Sequence, residues 1–331
     1  MSVTFRSLSM VSAVIAAAAV AYLFLTTEFY FLPKYFGYFI AAAAFMAGYG
    51  LAAYVVIRNR FLPRSYNVAI LGFPKSGKTT LIVSLFGEIF ARRITSVKAI
   101  LRGAETIQRV NDCLQMIERG KALGPTRSQD RFGFRVDMTQ RKILARTYKV
   151  EFGDFPGDSS KEYIEKYGPW LHTTEFFKWV AESDSMVFVV DLGLYLLKRT
   201  QYVPQISSAI RAAWQNYVDT KRQLGQEAGY SPLALVFSKA DLFGFRNLKG
   251  VRPLQSVIMR FGFGEEVPPV KDIDHKAYAE GSERVRRDFR DLISYLESES
   301  RSFKIIFTSC FGLLEGKRLG IEELLDAILP R

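Results

Sequence analysis

Residues Leu71–Thr80 read LGFPKSGKTT, and the fold turns on whether this run is a surface turn or a cradle for phosphate. Gly72, four further residues, then Gly77, Lys78 and Thr79 match the phosphate-loop spacing G-x-x-x-x-G-K-[ST]. Glycines let consecutive backbone N–H groups point inward at phosphate oxygens, where a side chain or a strained φ would interfere. Lys75 and Ser76 lie on the arc of such a loop. Lys78 places an ammonium on the β and γ phosphates, and Thr79, with Thr80 beside it, offers a hydroxyl to Mg²⁺. The following helix adds its positive N-terminal end to the anion site. Tyr66–Leu71, YNVAIL, alternates as a strand does, and Thr80–Phe90, TLIVSLFGEIF, continues as a helix. Strand, loop and helix together favour the cradle over an ordinary glycine turn.

A phosphate loop alone does not choose a base. Asp130–Met138 (DRFGFRVDM) and Arg146–Asp154 (RTYKVEFGD) read as two strands of an antiparallel hairpin. The second runs into DFPG, where Asp154 can hold Mg²⁺ through water and Gly157 can offer its N–H to a γ-phosphate. A plain Pro-Gly turn is the competing reading. Further on, the apolar strand Leu233–Phe237 ends in Ser238, Lys239, Ala240 and Asp241. A carboxylate here accepts two hydrogen bonds from the ring N–H and exocyclic amine of guanine, and adenine presents neither donor. The Lys239 stem can lie flat against the base. A later strand, FKIIFTSCF, ends in Thr308, Ser309 and Cys310, where a backbone N–H can meet the guanine 6-oxygen. The closing LGIEELLDAIL has the apolar spacing of a packed helix, with Ile321, Leu324, Leu325 and Ile328 on one face.

In this order the motifs resemble the Ras-like branch of P-loop GTPases. GFPKSGKT looks like its phosphate loop, and DFPG like the switch II motif D-x-x-G. SKAD looks like N-K-x-D with Ser238 for Asn, and TSC like the guanine-binding S-A loop with Cys310 for Ala. The resemblance covers about residues 66–331 and implies an α/β G domain, mostly parallel sheet with helices on both faces, that binds GTP or GDP with Mg²⁺. It also places the Mg²⁺-sensing threonine of switch I at Thr126, just before the first hairpin strand, against an ordinary loop threonine. Thr139 comes too late and Thr106 sits in a helical stretch. Where Ras-like enzymes usually carry the glutamine that positions water, this chain has Asp158, an anion beside the γ-phosphate. Hydrolysis is then slow or uses another residue, and Arg127 and Gln129 are both candidates. The chain is similar, too, to the β subunit of the signal-recognition-particle receptor, whose single membrane span differs from what the N-terminus suggests here.

The chain has 331 residues and a formal net charge of +12. Ser7–Thr27 and Tyr35–Ile57 carry no charge and are each long enough, as helices, to cross a hydrocarbon core of about 30 Å. Only Glu28–Lys34, with Pro33 as a breaker, separates them, so a two-helix transmembrane hairpin is expected over residues 7–27 and 35–57. A cleaved signal peptide would export a nucleotide site to a compartment poor in nucleotide, and buried core helices rarely run so long without charge. Arg6 before the hairpin and Arg58, Arg60 and Arg64 after it predict both termini in the cytoplasm, with 58–65 a basic linker. Residues 1–57 hold Arg6, Lys34 and Glu28, a net +1, so the remainder carries 12 − 1 = +11. An anionic leaflet of the lipid bilayer accounts for that charge, and no motif for nucleic acid is present. Cys113 and Cys310 form no metal spacing, and His172 and His275 leave no histidine-based metal site.

Two insertions are expected, at about 92–122 and 242–300. The first holds an amphipathic helix with Ile107, Val110, Leu114 and Ile117 on one face. The second holds an aromatic loop that either docks an effector or regulatory protein or is a plain surface loop. The reading that results is a membrane-anchored GTPase switch on the cytoplasmic face. A slow or non-hydrolysing nucleotide-bound scaffold and a membrane-bound ATPase are its rivals.

Overall fold

A computed structural model describes residues 42–43, 45–50, 64–73, 75–119, 121, 123, 132–140, 146–154, 175–244 and 271–329. Arg64–Gly72 (β1) leads into Lys78–Phe90 (α1), followed by Val97–Leu101 (β2) and Ala104–Glu118 (α2). Phe132–Gln140 (β3) and Arg146–Asp154 (β4) come next, then Glu175–Glu182 (α3), Ser185–Asp191 (β5) and Leu192–Gln223 (α4). Leu233–Ser238 (β6), Lys271–Asp272 (β7), His275–Asp288 (α5) and Arg290–Glu299 (α6) continue the chain. It closes with Phe303–Phe307 (β8), Gly312–Leu314 (β9), Lys317–Arg318 (β10) and Ile321–Ile328 (α7). The chain separates into two compact units, residues 1–63 with 145–147 and residues 64–144 with 148–331. These elements belong to the second unit, apart from the first residues of β4.

The main sheet has seven strands in the order β2-β3-β4-β1-β5-β6-β8. β4, β1, β5, β6 and β8 run parallel, while β2 is antiparallel to β3. A small sheet, β10-β9-β7, stands beside it. Successive side chains of a strand face opposite sides, so each central strand feeds two cores. Val68, Ile70, Val187, Val189 and Val236 pack with Leu81, Leu85 and Phe86 of α1 and Leu324, Leu325 and Ile328 of α7. On the other face Ala69, Leu71, Phe188, Val190 and Phe237 pack with Trp214 of α4 and Phe289, Leu292 and Leu296 around α6. β5 and β6 are buried along their whole length, which is why SMVFVVD and LALVFS are near-continuous apolar runs without alternation. The result is a three-layer α/β architecture with its parallel strands all pointing the same way.

Within the segment expected as the first insertion, β2 extends the main sheet and α2 packs beside it. Val110 is buried and Leu114 and Ile117 are packed on the core, but Ile107 is 42% exposed, and Cys113 takes part in the contact instead. α4 consists of two helical pieces meeting at Lys198, whose φ of −135° and ψ of 39° are not helical, and it carries Pro204 in its longer piece.

The expected two-span hairpin is corrected. Among the described residues, no helix is long and apolar enough to cross a membrane. Residues 7–27 lie outside the described set, and of 35–57 only 42–43 and 45–50 are described, as helix. The placement of the chain as a two-span protein with its domain on the cytoplasmic side falls with it. β1 begins at Arg64, inside the segment expected as the linker 58–65, of which residues 58–63 lie outside the described set.

Candidate functional site

β1, β5, β6 and β8 end on the same edge of the sheet, and the chain segments that leave them meet there. In open parallel sheets this carboxyl edge is where ligands bind. Gly72 closes β1. A Cβ at that position would lie 2.7 Å from the Val189 carbonyl oxygen and 2.9 Å from Ser76 Oγ, so only glycine fits between β1 and β5. The turn then needs two left-handed residues, Lys75 at φ 62° and Gly77 at φ 86°, before α1 starts at Lys78. Ser76 N–H donates to the Phe73 carbonyl at 3.2 Å and Leu81 N–H to the Gly77 carbonyl at 2.8 Å, closing the loop onto the helix. Lys78 folds back over it, its Nζ donating to the carbonyls of Gly72 at 2.9 Å and Phe73 at 3.1 Å. Thr79 and Thr80 are half-buried in the first turn of α1. Ser76 is fully buried, and its Oγ has no partner among the described residues.

The SKAD segment grips this loop from the β6 side. Ser238 Oγ lies 2.8 Å from the Ser76 carbonyl and 3.2 Å from that of Val190, within donating reach of both. Lys239, at φ 62°, donates Nζ to the Lys75 carbonyl at 3.0 Å and to Asp191 Oδ2 at 2.8 Å. The Lys239 stem is expected against a base and Ser238 in place of an asparagine; in the structure both hold the loop's own backbone. Asp191 was not singled out at all. It is fully buried, caps α4 by accepting from Gly193 N–H at 2.8 Å, and donates its own N–H to Tyr202 Oη at 2.9 Å. Its signal in the sequence was an apolar run, MVFVV, ending in a single carboxylate before Leu192-Gly193.

Asp241 and the β8 loop form the far end of the edge. Ser309 Oγ donates to Asp241 Oδ1 at 2.6 Å while accepting from Gly312 N–H at 2.7 Å and Phe311 N–H at 3.2 Å. Burial raises the Asp241 carboxyl above the usual aspartate range, opposed by the Ser309 hydrogen bond and the Lys239 charge. Ala240 N–H donates to the Thr308 carbonyl at 3.0 Å and Ser309 N–H to that of Leu319 at 3.0 Å, which locks the two loops together. Burial also pushes the Cys310 thiol up to about 11, so the group is a neutral thiol near neutral pH.

Asp154 is the last residue of β4 and pairs in register with Ile70 of β1, on the edge that carries Gly72. Thr126, Gly157 and Asp158 lie outside the described residues. Among the described residues no group of three or more His, Cys, Asp or Glu is placed to hold a metal. The structure thus brings together Gly72, Lys75, Ser76, Gly77, Lys78, Thr79 and Thr80 with Ser238, Lys239, Asp241, Ser309 and Cys310. A backbone cradle with an orphaned buried hydroxyl, an ammonium within it and a carboxylate at its far end suits a molecule with phosphate at one end and hydrogen-bond donors at the other.

No family model and no curated protein matches the chain. Among the solved structures similar to it, two are similar over 80% of the chain. One is a bacterial selenocysteine-specific elongation factor, EF-Sec, at 16% identity and a TM-score of 0.35, of which the chain spans 28%. The other is the signal recognition particle receptor SRb-GTP/SRX complex from Chaetomium thermophilum, at 13% identity and a TM-score of 0.36, of which it spans 98%.

Proposed function

We propose that the chain is a guanine-nucleotide-binding switch with slow GTP hydrolysis. One observation carries the reading: Asp241, steadied by Ser309, sits on the same sheet edge as the Gly72–Thr79 cradle, and Lys239, two residues before it, donates to the Lys75 carbonyl of that cradle. A carboxylate there accepts from both guanine donors, whereas adenine supplies neither. The loop N–H groups and the Lys78 ammonium neutralise phosphate oxygens, and the N-terminal end of α1 adds its dipole. Thr79, with Asp154 acting through water, would hold Mg²⁺, which when bound neutralises charge on the β and γ phosphates. Such an ion keeps several waters and needs few protein ligands. Thr126 and Gly157 would sense the γ-phosphate, and an effector protein would read the two segments that carry them.

Asp158 favours a second reading, a scaffold that holds GTP and barely turns over. Being shorter than glutamine and anionic, it positions water poorly beside a γ-phosphate. Chromatography of the nucleotide that copurifies with the full chain tests both readings. Guanine nucleotide is expected, as GDP for a hydrolysing switch and GTP for the scaffold. Recovery of adenine nucleotide would sink the assignment.

A further inference from the structure

The β9–β10 hairpin touches the binding edge at Gly312, and its Arg318 reaches the same edge from the side of α1. Arg318 Nη1 donates to the Cys310 carbonyl at 2.6 Å and to Ser84 Oγ of α1 at 3.3 Å. Its Nε meets Glu88 Oε1, also on α1, at 2.8 Å. The Glu88 side chain is only 4% exposed and that of Arg318 19%, so this is a nearly dry contact in which each charge depends on the other. Arg93 adds a second cation to Glu88 at 2.8 Å but is itself 52% exposed. Cys310 is thus held to α1 through Arg318, which contacts both its carbonyl and Ser84.

The guanine reading places an N–H that meets the 6-oxygen in the segment Thr308–Cys310. Thr308 N–H is committed to the Phe237 carbonyl and Ser309 N–H to that of Leu319, whereas Cys310 N–H takes no backbone acceptor among the described residues, which leaves it as the donor. A backbone donor discriminates only if its direction is fixed, because hydrogen bonds weaken steeply as they bend. Ser309 fixes one side of the loop through Asp241, and Arg318 fixes the other. We infer that Arg318 is a specificity-positioning residue: through the Cys310 carbonyl and Glu88 it orients the loop that recognises the purine 6-oxygen. It thereby ties that loop to the helix that follows the phosphate cradle. The inference rests on the guanine-nucleotide reading above.

The test uses the full chain and displacement of a fluorescent GDP by GDP, 6-thio-GDP and ADP. Sulfur at position 6 accepts a hydrogen bond less well than oxygen, so the ratio of the first two affinities reports on this one contact. Arg318→Lys keeps the charge but loses the planar fork that spans Cys310 and Glu88. Glu88→Gln leaves Arg318 in place without its counter-charge, and serves if the first variant fails to fold. Each is expected to weaken GDP about five- to tenfold and 6-thio-GDP by less, so that the preference for oxygen narrows. Equal losses for both nucleotides, or no loss, would overturn the inference and leave Arg318 a support of the fold. A wild-type chain that does not prefer GDP to ADP would remove the base-reading loop and the inference together. That failure shows in the unsubstituted protein and is therefore distinct from the first.

Discussion

Asp241→Asn keeps the size and shape of the side chain but reverses half of its hydrogen bonding. The amide accepts from one guanine donor and presents its own N–H to the other, at about 1–3 kcal/mol for the unpaired group. Xanthine carries a carbonyl at that place, so GTP should lose affinity and XTP gain it while ATP stays weak. Competition among the three nucleotides on both proteins is sufficient, and an unmoved ranking would mean that Asp241 does not read the base. The same carboxyl carries a pH signature. Burial raises its pKa in the nucleotide-free fold, so ionisation in the native state lags that in the unfolded chain. Its contribution to stability is therefore present at low pH and lost as pH rises from the ordinary aspartate value through the raised one. Binding runs the opposite way, since guanine needs the ionised form. GDP affinity should decline as pH falls through the raised pKa, and the decline should be absent in Asp241→Asn. Titrations that start at the ordinary aspartate value and run upward follow the window.

At the scale of the element, Asp191 joins three pieces: it ends β5, caps α4 and pairs with Lys239 of the β6 loop. Asp191→Ala removes a helix cap and strands a mostly buried ammonium, which together should cost about 2–4 kcal/mol in urea unfolding. Asp191→Asn keeps an acceptor for the cap and should lose less. A full loss in Asn and none further in Ala would assign the whole effect to the charge. Asp191 also shows why part of the site was illegible in the sequence. β1 and α1 could be read because the apolar period shifts from two residues to three or four across the glycine loop. α7 was read from Ile321, Leu324, Leu325 and Ile328, all buried as expected. β5 is apolar on both faces and has no period to detect, and α4 is interrupted at Lys198 and Pro204. Ile107 was placed on a buried face from spacing alone, but the helix turns so that Cys113 lies on the core instead. Ser238 stands where asparagine is expected, and spacing could not reveal that its hydroxyl reaches the Ser76 carbonyl, 162 residues away in sequence.

For the molecule as a whole, the cradle, the β5 cap and the β8 loop stabilise one another, so a ligand spanning them should raise global stability. GDP with Mg²⁺ at about 100 times its Kd adds about 2.7 kcal/mol, or roughly 5–10 °C in melting temperature for a domain of this size. ADP at the same concentration should leave the melting curve in place, and an equal shift would show that the base is not read. The central strands carry one more consequence. Met186–Val190 of β5 and Leu233–Phe237 of β6 are hydrogen-bonded on both sides and covered on both faces. β2 at the end of the sheet leaves Ile100 49% exposed. In heavy water the amides of β5 and β6 can exchange only when the whole domain opens, whereas those of β2 need no more than a local fraying. Deuterium uptake should therefore advance inward from β2, and adding GDP should slow the innermost amides by the same factor by which it stabilises the domain.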